Sequence, residues 1–500
     1  MDTSSLWQGT AAKTACLPTL QTDLKVDVAI VGGGIAGLTT ALRLVDAGKR
    51  VAILEADKVG GGSSGHSTGN LYATVDLGLA ALEQAHGGDV ARQVVESRAA
   101  AIDLLEATIA RFGMDCGFQR VAWHLLALDP DHVPDIEREA AAAARAGLPT
   151  ELHEAAPITV QARRVLRIPG QAQFQPLEYL RQLAQRIGGE DCLIFENTRV
   201  LAVDDDPCVV HTEHAKVSAG QVVLATHTPV GIHLVQSNLE VVREYGVAAV
   251  MHDATPEPGV YWCIGAECYS LRSFTEYERT YLVAVGSSHK TGDPGIGAER
   301  FDHLIAFARD QFPLAPVEYR WSAQRYRSKD KLPYIGRNVD ARNTHIATGF
   351  SGDGLVYGTL AGMLVADAIL GRANPWAALY DPARLAQGTR RKGFEQESSG
   401  PARTPQAPML DAATRAQLDS LPPCQTRKVD AGGQPVLVYR REDGGLQAVT
   451  GKCSHMGCEL RWNGADTSWD CVCHGSRFAP DGRVLEGPAM APLGSVPLEN

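Results

Sequence analysis

Five hundred residues, 44% hydrophobic and 21% charged, exceed what one compact core accommodates, so two or three domains are expected. A formal net charge of -11, with no basic stripe, argues against a nucleic-acid partner. The first twenty residues lack the apolar core of a signal peptide, and glycines break the apolar stretch 26–44, so a cytoplasmic chain without a membrane span is expected.

In chain order, the apolar run Val28–Val31 reads as a strand and feeds the GxGxxG turn Gly32–Gly37. Leu38, Ala41, Leu42, Leu44 and Val45 then recur at helical spacing until Gly48, and a second strand, Val51–Leu54, ends in the acid Glu55. Strand, turn, helix, strand and acid in this register describe a dinucleotide site. Gly32 makes the tight turn, Gly34 lets the backbone approach a pyrophosphate, and Gly37 permits close helix–strand contact. The helix start at Ile35 and Ala36 offers its positive end to the pyrophosphate, and Glu55 is placed to hold a ribose hydroxyl. The run 60–70, holding Ser63, Ser64, His66 and Ser67, is too rich in turn formers for an element interior and reads as a backbone wall against the cofactor.

Helices are expected over Asp89–Phe112, Pro134–Ala146 and Glu299–Gln311. Leu193–Val203 and Gln221–Ala225 read as strands, the second returning the chain to the cofactor at Thr226. Val247–Met251, Tyr269–Arg272 and Tyr281–Val285 read as strands of a separate sheet. A second glycine turn, Thr348–Gly354, opens a helix over Leu355–Leu370. The composition of 371–421 is that of a linker to a small further domain.

Of eleven cysteines, seven are scattered and read as ordinary thiols, while four crowd into Cys453–Cys473. Cys453 and His455, then Cys471 and His474, supply two thiolates and two imidazoles, the ligand set of a Rieske [2Fe-2S] centre. Tetrahedral zinc is the competing reading. The extra cysteines Cys458 and Cys473, the His474-Gly475-Ser476 run and the later Gly487-Pro488 turn favour iron–sulfur.

On these motifs, together with Leu332–Gly336 and Thr348–Phe350, residues from about 5 to 372 resemble FAD-dependent oxidoreductases of the D-amino-acid-oxidase (DAO) superfamily. Residues from about 407 to 500 resemble a Rieske domain, and the combination resembles bacterial DAO–Rieske fusion proteins. The resemblance implies an α/β fold, with a Rossmann-like FAD-binding domain interleaved with an α+β substrate domain, plus a small all-β domain. FAD-binding segments are expected at about 25–75, 190–232 and 331–372, substrate-domain segments at 76–189 and 233–330, a linker at 373–406 and the Rieske domain at 407–500. It further implies FAD contacts at Val200, Thr226, Gly349, Gly352, Gly354 and Leu355. There the second helix N-terminus would face the electron-accepting end of the flavin. A Cys458–Cys473 disulfide would tie the cluster loops, Ser476 would hydrogen-bond to a cluster sulfur, and Phe478, where high-potential relatives carry tyrosine, implies a middling potential. His66 resembles a histidine that relatives degrading dimethylglycine and sarcosine link covalently to flavin, the other reading being a loop histidine that hydrogen-bonds the cofactor.

On the substrate side, Arg325 resembles the arginine that grips a substrate carboxylate, Arg272 is a second candidate clamp, and Lys290 with His289 is a candidate to approach the flavin. The function expected is oxidation of a small amine or amino acid, with electrons leaving FAD through the [2Fe-2S] cluster to an external acceptor protein. A reductase fed by NAD(P)H and a redox sensor without turnover are the alternatives. The only further nicotinamide candidate, Gly295–Gly297, lacks the third glycine and a preceding strand.

Overall fold

The computed structural model describes residues 4–252, 256–339, 341–385, 410 and 412–497. One sheet is built from β1 (Val28–Val31), β2 (Val51–Leu54), β3 (Cys192–Phe195), β4 (Gln221–Leu224), β5 (Tyr334–Arg337) and β6 (Thr344–Thr348). Its order is β5-β6-β4-β1-β2-β3, parallel except for the β5–β6 pair. Every residue of β1 and β2 is buried, which explains their unbroken apolar runs: both sheet faces are covered. On one face, α1 (Ile35–Val45) crosses α2 (Gly354–Ile369) at close range. A β-carbon on Gly358 would lie 2.5 Å from Ile35 Cγ2, so the small residue sets the crossing.

A second sheet has nine strands. The strands expected at Val247–Met251, Tyr269–Arg272 and Tyr281–Val285 lie in it, but run longer: Leu239–Met251, Tyr269–Glu276 and Arg279–Lys290. Charged residues in their outer halves mask the strand pattern. The edge strand Leu314–Ser328 pairs antiparallel with Leu239–Met251. Helices stand at Gly88–Phe112, Val133–Arg145 and Glu299–Gln311, close to expectation.

Leu193–Val203 is not one strand. The chain leaves β3 at Phe195, turns through Asn197 at φ 49°, and begins a strand of a different sheet at Val200. The turn is fixed by Glu196, whose carboxylate accepts from Val59 N (2.9 Å) and Lys58 Nζ (2.9 Å). Residues 373–385, read from composition as linker, pack on the preceding part of the chain: Tyr380 is fully buried with its hydroxyl on Ser97 (2.8 Å). Arg384 donates to the carbonyls of Leu332 and Pro333. Most of the remaining linker, 386–409, lies outside the described residues.

The C-terminal region is all-β, a three-stranded antiparallel sheet (Thr426–Ala431, Gln434–Arg440, Leu446–Thr450) and a four-stranded one (Leu460–Asn463, Ser468–Cys471, Arg477–Phe478, Val484–Glu486). Its cluster loops press against the strands Leu239–Met251 and Leu314–Ser328. No helix among the described residues is long and apolar enough to cross a membrane.

Candidate redox site

The first glycine turn closes as the motif requires. Gly32 has φ 107°, and a β-carbon there would lie 2.6 Å from the Ala225 carbonyl oxygen. A β-carbon on Gly37 would collide with the carbonyl oxygen of Gly32. Gly34 gives α1 no side-chain cap of its own, and Ser64 Oγ from the 60–70 run accepts from Ile35 N at 3.2 Å at this positive helix end. Glu55 braces the turn: its carboxylate accepts from Gly33 N (2.7 Å) and Asp57 N (2.9 Å), and burial raises its pKa.

The run 60–70 folds over this turn as a short 3-10 segment, Ser63–His66. Ser63 Oγ meets His227 Nδ1 at 2.9 Å, and His66 Nδ1 donates to Gly62 O at 2.9 Å. Ser67 Oγ donates to Ser64 O. Thr226 turns its hydroxyl into its own turn, on Thr228 O. The second glycine turn joins the same cleft, since Thr348 Oγ1 donates to His227 O at 2.6 Å. Gly349 takes φ 82°, Gly352 N donates to Asp76 Oδ2 (3.1 Å), and α2 starts at Gly354 with Leu355 buried beneath. Val200 is buried in the apolar core beyond β2. Two helix starts, their glycine turns and a hydroxyl-bearing loop thus come together in one place. These donors and close backbone surfaces fit the pyrophosphate, ribose and ring of FAD.

The three substrate-side candidates part ways. Arg325 faces acids: Nη2 lies 2.8 Å from Glu244 Oε1 and Nη1 3.3 Å from Asp76 Oδ2. Burial raises the pKa of Glu244, whereas Asp76, buried too, is held low by Arg325 and Arg327. Arg272 is not a clamp. Its guanidinium is buried and donates to the carbonyls of Thr68, Gly69 and Phe174, and burial lowers its pKa to about 9. It anchors the 60–70 run to the sheet. Lys290 does not approach the flavin cleft from the sheet either. It is exposed, two residues before Gly292, whose carbonyl accepts from Arg461 of the C-terminal region. His289 bonds the Tyr245 hydroxyl at 3.0 Å, and that hydroxyl lies against Asn463.

In the C-terminal loops, Cys453 and Cys471 are buried free thiols, while Cys458 and Cys473 form the disulfide. The disulfide sulfurs lie close to Cys471 Sγ, but being bonded to each other they leave Cys453, Cys471, His455 and His474 as the candidate ligands. The two imidazoles stand nearly perpendicular with centroids 5.1 Å apart. Both Nδ1 atoms are buried with no hydrogen-bond partner among the described residues. A buried, unpartnered ring nitrogen is costly unless it binds something. Burial lowers both imidazole pKa values, His455 to about 4, so both rings are neutral ligands. His455 Nε2 meets Gly231 O at 3.1 Å; a carbonyl there selects the Nε2–H tautomer and frees Nδ1 for iron. Cys453 titrates below an ordinary thiol because of the neighbouring Cys471 thiol, then the backbone N–H of His455 and the Ser476 hydroxyl. The residues fit a [2Fe-2S] cluster with two thiolates on one iron and two imidazoles on the other.

Sequence reasoning missed the seam between the two halves. Arg243 reaches Asp466 (2.7 Å) and Glu486 (3.1 Å), and Arg477 reaches Asp466 (2.8 Å) and Asp470 (3.0 Å). Gln324 Nε2 donates to Gly475 O (2.9 Å) and the Tyr326 hydroxyl to Gly487 O (3.2 Å). The alternation of buried Gln324, Tyr326 and Ser328 with less buried Arg325 and Arg327 was the available signal that this strand has two working faces.

A family model described as FAD dependent oxidoreductase (DAO) matches residues 27–368, and one for the Rieske [2Fe-2S] domain matches residues 413–497. The chain is 29% identical to the putative Rieske 2Fe-2S iron-sulfur protein YhfW of Bacillus subtilis (strain 168), over 98% of this chain and 97% of that protein. It is 25% identical to gamma-glutamylputrescine oxidoreductase of Escherichia coli (strain K12), covering 75% of this chain and 91% of that one. Among solved structures, glycine oxidase from Geobacillus kaustophilus superposes with a TM-score of 0.62 at 23% identity, over 74% of this chain and 100% of that one. The convergent glycine turns and the paired cysteine–histidine loops are thereby accounted for together: the chain belongs to the DAO family of FAD-dependent oxidoreductases and carries a C-terminal Rieske [2Fe-2S] domain.

Proposed function

We propose that the chain oxidises a small amine or amino acid at FAD and delivers the electrons, through its Rieske cluster, to an external acceptor protein. FAD, when bound, supplies a two-electron acceptor and the cluster a one-electron relay. The observation that carries this reading is the hydrogen bond from ligand His455 to Gly231 O, because Gly231 lies in the loop that leaves β4 and lines the flavin cleft. A contact between a candidate cluster ligand and that loop supports electron transfer from the flavin of the same chain.

In this reading Gly32, Gly34, Ile35, Ala36 and Gly37 hold the pyrophosphate, and Glu55 the ribose. Ser63, Ser64, His66, Ser67 and Thr226 wall the ring, with Val200 on the far side of β2. Gly349, Gly352, Gly354 and Leu355 present the second helix start. Arg325 is the substrate-facing cation, its charge balanced by Glu244 and Asp76 until substrate enters. A neutral amine would give up hydride without needing a dedicated protein base, so Glu244 and Asp76 can serve to balance Arg325 rather than to take a proton. The amine and amino-acid names of the E. coli and Geobacillus relatives support the substrate class. The oxidoreductase unit, expected from the sequence to end near residue 372, takes in the packed residues 373–385 as well, and the Rieske unit starts at about residue 407. A cytoplasmic location belongs to the same reading, supported by the seven unpaired cysteines outside the cluster loops.

The test is anaerobic screening of amines and amino acids against the holoprotein. Bleaching of the flavin by at least one of them supports the reading; bleaching by NADH alone overturns it.

A further inference from the structure

We propose that Tyr326, with His227 against its ring, is the bridge by which electrons cross from the flavin site to the cluster, within the docked chain and without domain movement; this rests on the function proposed above. Tyr326 touches both sites at once. Its backbone carbonyl accepts from Ser351 N (2.9 Å), in the second glycine turn. Its hydroxyl donates to Gly487 O (3.2 Å), in the third loop around the cluster, and accepts from Gln324 Nε2 (2.7 Å). That same Gln324 nitrogen donates to Gly475 O, the residue after ligand His474. Edge-on to the Tyr326 ring stands His227, centroids 4.8 Å apart, whose Nδ1 meets Ser63 Oγ of the flavin loop.

These contacts are short, bonded or in van der Waals contact, and dry: Tyr326 is 2% exposed. Burial raises the Tyr326 phenol pKa and lowers that of His227 to about 4, so both remain neutral and the relay leaves no stranded charge. The cluster loop also packs closely on the strand Leu239–Met251: a β-carbon on Gly475 would lie 2.5 Å from Val241 Cγ1. Oxidation of an amine to its imine releases two electrons and two protons, which bound FAD would take up together. Each crossing would move one electron to the diferric cluster, with the flavin's two protons leaving to solvent over the two crossings, so one substrate would need two one-electron acceptor molecules. Tyr326 itself stays reduced; it is a positioning residue that couples the two sites through bonds.

The experiment uses the holoprotein, with its flavin photoreduced by light and EDTA under anaerobic conditions, comparing wild type with Tyr326→Phe and Tyr326→Leu. Flavin absorbance and the cluster's electron paramagnetic resonance signal are followed together, alongside the cluster's midpoint potential and the melting temperature. The expected result is about tenfold slower appearance of reduced cluster in Tyr326→Phe, from loss of the Gly487 hydrogen bond, and a larger loss in Tyr326→Leu. The rate of flavin photoreduction, the line shape and the potential stay unchanged. Equal cluster reduction in wild type and both variants overturns the bridge, as does slowing matched by a shift in potential. If Tyr326→Leu does not fold, Tyr326→Phe decides alone. Failure of the wild-type cluster to be reduced at all sinks the proposed function instead.

Discussion

Arg243 Nε and Asp466 Oδ2 meet at 2.7 Å across the domain seam, with side chains only 4% and 10% exposed. Removing one partner of a buried pair strands the other, so Arg243→Leu should weaken docking of the Rieske domain by about 3 kcal/mol. Arg477 still holds Asp466, which keeps the loss at the low end of that range. Urea unfolding followed by cluster absorbance measures it. A double-mutant cycle with Asp466→Leu should show strong coupling, because both side chains share one network.

The same pair sets an acid limit. Burial pushes the Asp466 carboxyl up, but Arg243 and Arg477 together hold it down to about 2. A depressed carboxylate stabilises the folded state fully above its unfolded pKa of about 3.9 and loses that contribution as pH falls toward the folded value. Docking stability should therefore be flat near neutrality and fall between about pH 4 and 2. Tryptophan fluorescence across that range checks it, and the decline should be shallower in Arg243→Leu.

Gly37→Ala should abolish flavin retention. Its β-carbon collides with the Gly32 carbonyl, forcing apart turn and helix at a cost of about 1–3 kcal/mol where the pyrophosphate must sit. Gly62→Ala is the control: it has open space around it and a φ of -81°. The yellow absorbance of the purified proteins distinguishes the two.

Ser476 is fully buried, with its hydroxyl at Cys453 and its oxygen accepting from Ala489 N (3.1 Å). Ser476→Ala should lower the cluster midpoint potential by removing a hydrogen bond that stabilises the reduced, more negative cluster. Phe478→Tyr, at another fully buried position, should raise it. Potentiometric titration reads both.

Cys458 and Cys473 close a loop of sequence separation 15 around the ligands. Opening it with the double alanine variant should destabilise the cluster loops by about 3 kcal/mol in the chain-entropy picture. The measured quantity is the half-life of the cluster's visible absorbance at elevated temperature.

What could be read from the chain was what is local in it. The Gly32–Gly37 turn and the four candidate ligands Cys453, His455, Cys471 and His474 can each be picked out within a few residues, because a [2Fe-2S] cluster and a pyrophosphate constrain spacing directly. Arg243 and Asp466 are 223 positions apart, and each alone looks like an ordinary surface charge. Arg272 misled for the opposite reason: a buried guanidinium satisfied by three carbonyls has the same letter as a substrate clamp. The run Leu193–Val203 hid a change of sheet, since both halves are apolar and only the four residues Glu196, Asn197, Thr198 and Arg199, with Asn197 left-handed, mark the turn. Tyr326 went unnoticed because its importance lies in what lies on either side of it, not in its neighbours along the strand.

The most direct measurement of the wiring compares wild type with Cys453→Ser, which removes a cluster ligand and leaves the flavin cleft untouched. Both proteins, loaded with FAD and reduced by the same amine, are offered a one-electron acceptor protein such as cytochrome c. The expected result is that both flavins bleach, while only the cluster-bearing protein passes electrons to the acceptor at an appreciable rate. Equal reduction of the acceptor by the two proteins would contradict electron delivery through the Rieske domain.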